Sequence, residues 1–313
     1  MKKAFLISAF LVVCFVGVGQ QLPVYSLFGA NKYALNPAFA GSEYYWEFAI
    51  LHRSQWVGFD NGPSTQLFSS HSRIDGTASG FGATIYNDRN GVIGNMGVSL
   101  GYAYHVDLSD EFELSFGLNG SYTQYKLFGD RVLLHSNSDN LLNQHRGTSG
   151  EFNAAFGTLL YADNFYFGLS ALNLFSPKID YFNGASTPLQ RHYYLQTGGR
   201  VQITSNGAIS ADILCDYLAN NPFQVDFRFN YEYVDIFKIG AGYRWTDSFV
   251  LTAGFKVIEE LYLNYAYDMG VSKLNSAHSG SHEVLLSYHF YYNPIYKNSK
   301  ARYNFKRIKK RGD

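Results

Sequence analysis

Ser70-His71 and His52-Arg53 are the residues that most invite a catalytic reading. A serine activated by a histidine hydrolyses esters or peptides, and it needs an orienting carboxylate within mutual reach. Adjacent residues of one strand point to opposite faces, so Ser70 and His71 cannot pair directly. No GxSxG elbow is present. His278 and His282 are four apart, but in a loop and a strand start, and no His/Cys cluster has zinc spacing. Asn87-Asp88-Arg89-Asn90-Gly91 opens like a calcium loop without the later glutamate, and Asn90-Gly91 reads better as turn chemistry. Gly91, Gly94 and Gly97 have the spacing of a weak phosphate loop, with no Lys-Ser/Thr behind them. Strand glycines that bend a wall are the simpler reading. The sequence therefore predicts no catalytic residue, metal or cofactor, and a non-enzymatic protein.

The elements that would carry these residues are strands. Phe223, Val225, Phe227, Phe229, Tyr231 and Tyr233 alternate with Gln224, Asp226, Arg228, Asn230 and Glu232. Phe112 to Asn119, Ile209 to Tyr217 and Leu261 to Tyr267 alternate in the same way. A period of two gives each strand one apolar and one polar face. Sandwiches alternate too, so the connections must decide. About fourteen strands can be traced between residues 44 and 290. Counted from the first strand, the even connections are tight, among them Ala162-Asp163-Asn164, Val234-Asp235 and Glu259-Glu260. The long ones, Leu127 to Ser149, Phe175 to Leu189 and Asp268 to Gly280, are all odd. Short turns at one end and long loops at the other predict an antiparallel outer-membrane β-barrel with both termini in the periplasm.

Composition agrees. The chain of 313 residues is 46% hydrophobic and 18% aromatic, with Lys+Arg 25 balancing Asp+Glu 25. Tyr44, Tyr45, Trp46, Trp56, Tyr102, Tyr104, Tyr122, Tyr125, Tyr193, Tyr194, Trp245 and Tyr288 lie near strand ends, as membrane-interface girdles would. Residues 1–19 read as a cleaved signal peptide, with Lys2 and Lys3 ahead of a short apolar run and Gly17 and Gly19 at its end. Cleavage would leave one cysteine, Cys215, and no intramolecular disulfide. Residues 20–43 form a periplasmic segment long enough to enter and help fill the barrel of residues 44–290. The lumen-facing set Glu111, Glu113, Asp212, Asp216, Asp226, Arg228, Glu232, Lys238, Arg244 and Lys256 mixes both signs, which suits cross-lumen ion pairs and a closed interior.

The stretch Asn36-Pro37-Ala38-Phe39-Ala40-Gly41, then Arg53, Gln55, Trp56, Gly58, Gly62-Pro63, Thr65 and Ser70-His71, resembles the start of the PorP/SprF family of Bacteroidetes outer-membrane proteins. Tyr265-Ala266-Tyr267-Asp268 and Gly280-Ser281-His282-Glu283 resemble its final hairpin. The resemblance implies an outer-membrane barrel of type IX secretion and gliding motility, without enzymatic activity. It further implies partners among secreted adhesins and periplasmic ring or peptidoglycan-binding components.

Two groups are expected to bind partners. Arg53, Gln55, Trp56, Gly62 and Pro63 would sit at the outer mouth of the first hairpin, either bracing it or clamping the mouth and binding cargo. The tail 291–313 carries Lys306, Arg307, Lys309, Lys310 and Arg311 against one acid, Asp313. It reads either as a periplasmic docking arm or as an anchor on anionic outer-membrane lipid. Export argues against a nucleic-acid partner. A diffusion or uptake channel is the alternative function, and it requires an open lumen.

Overall fold

The computed structural model describes residues 23–43, 45–128, 148–182, 185–219, 221–271 and 279–291. The leader 1–19, Tyr44, His278 and the tail basic residues Lys306, Arg307, Lys309, Lys310 and Arg311 lie outside the described residues.

The strands are β1 (Trp46–Ser54), β2 (Ser64–Arg73), β3 (Ser79–Asn90), β4 (Ile93–Asp107), β5 (Glu113–Leu127), β6 (Thr148–Ala162) and β7 (Phe165–Leu172). A small pair follows, β8 (Lys178–Phe182) and β9 (Ala185–Pro188). Then come β10 (His192–Gln202), β11 (Gly207–Leu218), β12 (Gln224–Tyr233), β13 (Phe237–Arg244), β14 (Ser248–Ile258), β15 (Leu261–Gly270) and β16 (Ser281–Phe290). All but β8 and β9 join one closed antiparallel barrel, in which β16 returns to pair with β1. Closure leaves no unpaired edge, the condition a sheet must meet in lipid.

The burial pattern is turned inside out relative to a soluble domain. On β12, Asp226 and Arg228 are 1% and 4% exposed, whereas Phe227 and Phe229 are 45% and 54% exposed. On β16, Val284, Leu286, Tyr288 and Phe290 face outward while Glu283, Leu285 and Ser287 are buried. An apolar exterior around a polar interior is what a bilayer selects. Among the described residues, no helix is long and apolar enough to cross a membrane.

The connection parity holds. The turns at residues 108–112, 163–164, 203–206, 234–236 and 259–260 lie at one end, and residues 173–191 and 271–280 connect strands at the other. The loop after β7 contains the β8–β9 hairpin, which alternation alone did not reveal. Its Ile179 packs with Leu189 on the lumen-facing Tyr125 of β5, so the hairpin leans over the barrel mouth. Tyr125 thus leaves the predicted outer girdle, as do Tyr45 and Tyr194, because strand parity turns all three inward. Glu111 leaves the lumenal set, since it is exposed in the turn before β5.

The turn from β12 to β13 holds Val234 at φ 54 and Asp235 at φ 57. Left-handed backbone suits a tight hairpin turn but not a β-branched side chain. Val234→Asn is expected to stabilise the barrel by about 1 kcal/mol. A rise in the urea midpoint of the refolded protein would show it, and an unchanged or lower midpoint would refute it.

Candidate functional site

Residues 23–43 run through the barrel. Val24 lies at the long-loop end beside Trp56, Gln224 and Thr246. Further along, the Ser26 backbone N–H donates to Glu283 of β16, and Asn31 meets Ser69 of β2. Asn36 donates from its Nδ2 to the carbonyls of Thr158 on β6 and Leu169 on β7. Ser115 of β5 donates to the Ala38 carbonyl. A segment that touches strands on opposite sides of a closed barrel lies in its lumen. Its first described residues stand at the long-loop end, and it leaves at the tight-turn end to become β1. Residues 23–43 thus fill the lumen, with the first described residues at the long-loop end.

The wall is shaped for this occupant. A Cβ on Gly82 or Gly101 would strike the Tyr33 ring, and one on Gly117 the Ala38 backbone. Pro37–Phe39 form a short 3-10 helix, capped by Asn36 whose Oδ1 accepts from the Ala38 N–H at 2.9 Å. Asn36, Ala38 and Ala40 are wholly buried. The Asn-Pro-Ala-Phe-Ala-Gly stretch is thus the part of the plug that locks onto β4 to β7.

Two polar clusters tie plug to wall. Near the long-loop end, Arg53 donates to Asp268 at 2.7 Å, Glu283 at 3.0 Å and the Ser26 hydroxyl at 2.9 Å. Arg244 donates to Asp226 at 2.9 Å and Asp268 at 3.0 Å, and Arg228 to Asp226 at 3.1 Å. Three guanidiniums face three carboxylates, and all six are buried. Ser26 sits among them. Its hydroxyl donates to Asp268 and accepts from Arg53 and Arg244, and its carbonyl accepts from Arg228 at 3.2 Å. Glu283 also accepts from the backbone N–H groups of Ser26 and Leu27, each at 2.8 Å. Buried charges are costly unless paired and hydrogen-bonded, and here the plug backbone supplies part of the pairing.

The second cluster is toward the tight-turn end. Arg73 donates to Glu113 at 2.7 Å and to the Tyr161 hydroxyl at 2.9 Å. His105 Nε2 donates to the Ala40 carbonyl at 2.9 Å, and its Nδ1 lies 2.8 Å from the Tyr161 hydroxyl.

The predicted mouth residues separate. Arg53 is on β1 near the long-loop end, but its side chain points into the lumen, where it holds the plug. Gln55 and Pro63 close the hairpin through a 2.8 Å backbone bond, and Gly62 is packed against the Gln55 carbonyl. Trp56 remains exposed at the rim, at φ 53. The backbone of Val57 pairs with Ser279 and Gly280, joining the first loop to the last. Ser70 and His71 diverge as expected: Ser70 accepts from Trp46 Nε1 at 2.7 Å, while His71 faces the plug at Gly41. The role of Ser26 gave no signal in sequence, because a serine in an unpatterned segment acquires partners only once the barrel closes around it.

Solved structures of similar architecture are distant in sequence. The toluene transporter TodX of Pseudomonas putida is 11% identical, with TM-score 0.48 over 84% of this chain and 94% of its own. The monoaromatic hydrocarbon channel CymD is 12% identical, with TM-score 0.48 over 88% and 94%. The outer membrane protein Omp33 of Acinetobacter baumannii is 8% identical, with TM-score 0.45 over 79% and 99%. No curated protein matches the chain. A family profile described as "Type IX secretion system membrane protein PorP/SprF" matches residues 17–288, which takes in the plug, the Arg53 cluster and nearly the whole barrel. The chain is therefore an outer-membrane barrel that belongs to the PorP/SprF family of type IX secretion membrane proteins.

Proposed function

We propose that this protein is a non-enzymatic anchor within the type IX secretion and gliding machinery, and that it holds or assists the export of a surface adhesin instead of passing solutes. The filled lumen carries this reading. Residues 23–43 occupy the space a permeant would need, and two buried polar clusters fix them to the wall. A barrel closed in this way presents surfaces: long loops on one side, and on the other the tight turns where β16 ends. The loops suit a secreted adhesin, and Lys306, Arg307, Lys309, Lys310 and Arg311 suit a periplasmic ring or peptidoglycan-binding partner, with anionic lipid as their second contact.

The test is a pull-down of the tagged protein from its native outer membrane in mild detergent, with mass spectrometry of what co-purifies. A large surface adhesin or a periplasmic ring component is expected. Recovery of the barrel alone, from membranes in which other complexes survive, together with steady conductance in planar bilayers, would replace the anchor with a diffusion or uptake channel.

A further inference from the structure

The long-loop mouth of the barrel holds a cavity of about 340 Å3 beside Val24. Arg53, Arg244 and Asp268 form its floor, while Asp216, Asp247 and His192 line it. The six-charge cluster below is balanced, so the two further acids are a surplus. Asp216 has His192 Nδ1 at 3.4 Å, and Asp247 shares Arg244 at 3.3 Å with that guanidinium's shorter contacts to Asp226 and Asp268. Two floor and wall atoms are buried without a hydrogen-bond partner among the described residues: Asp268 Oδ1 and His192 Nε2. Asp268 is 3% exposed and His192 1%. Trp56 stands at the rim, where an indole face attracts cations.

From the surplus acids, the unpartnered carboxylate oxygen and the indole at the rim, we infer that this cavity takes a cationic side chain, lysine or arginine, from a polypeptide on the long-loop side. A low-dielectric pocket with surplus negative charge concentrates cations and strengthens each contact they make. Among the described residues, no three His, Cys, Asp or Glu groups converge as metal ligands, so an organic cation fits the site better than a metal ion. The inference rests on the anchor reading above and gives its outer partner a chemistry.

The test uses the full-chain protein in detergent and a fluorescein-labelled, end-capped pentapeptide Gly-Ser-Lys-Ser-Gly, read by anisotropy. The lysine peptide is expected to bind and its norleucine counterpart to fail. Asp216→Asn and Asp247→Asn are each expected to weaken binding about tenfold, and high salt to do the same. Asp235→Asn, in a turn at the other end, should leave it unchanged. Equal binding of both peptides, or binding indifferent to Asp216 and Asp247, would overturn the inference. So would equal affinity for 1,4-diaminobutane, which would make the ligand a free amine, or binding only after residues ahead of Pro23 are removed, which would make the chain its own occupant. An adhesin that still co-purifies with the doubly substituted protein would overturn the cation site and leave the anchor role standing. Absence of any partner from the wild-type protein would count against the anchor role itself.

Discussion

Arg53→Ala is expected to destabilise the barrel by about 3–5 kcal/mol, the range for breaking a buried ion pair from one side. Arg53 is 1% exposed and serves two carboxylates and the Ser26 hydroxyl at once. Truncation leaves Glu283, itself 0% exposed, with only the Ser26 and Leu27 backbone N–H groups. Asp268 keeps Arg244 and Ser26. Lysine should rescue only partly, because one ammonium on a flexible stem cannot reproduce the guanidinium fork. Arg53→Met combined with Glu283→Gln should recover more than half of the loss, since removing both charges avoids stranding either one. Urea unfolding of the purified protein, followed by heat-modifiable electrophoretic mobility, measures all three. An Arg53→Ala protein that unfolds at the wild-type midpoint would refute the cluster's role.

Emptying the lumen should have the largest effect on transport. The wild-type barrel is expected to be silent in planar bilayers, and a protein lacking residues 23–41 to conduct in steady steps. Deletion also removes Ser26 from the charge cluster and Ala40 from His105, so folding is itself at risk. Gly82→Leu with Gly101→Ala provides an independent route, because both new side chains fall where the Tyr33 ring lies while the charge clusters stay intact. That variant is expected to conduct intermittently as the plug is displaced. If both variants fold and both remain silent, something other than residues 23–43 closes the pore. If the wild type conducts, the plug leaves a path open.

The barrel was legible in the sequence because its physics is local. Period-two alternation fixes the face of every residue on a strand, so Asp226, Arg228 and Glu283 could be placed inside and Phe227 and Val284 outside before any pairing was known. Connection parity then separated a barrel from a sandwich. What stayed hidden was set by the third dimension. Tyr125 and Tyr194 carry the girdle's residue type on the lumenal parity. Arg53 belonged to a recognisable motif, yet its partners Asp268 and Glu283 lie far along the chain on the last two strands, and only closure brings them together. The glycines that seat Tyr33 and Ala38 looked like strand irregularities, because their use depends on a neighbour distant in sequence. The direction in which residues 23–43 cross the lumen has no periodic signature at all.

The register between the first and last strands has a consequence for how the molecule holds together. Arg53 of β1 lies directly opposite Glu283 of β16, and Asp268 is on the next strand, so the cluster straddles the seam where the ring joins itself. Closing the seam brings Arg53 of β1 against Glu283 of β16, and Ser26 of the plug bonds to both. The last pairing of the ring and the anchorage of the plug therefore stabilise each other.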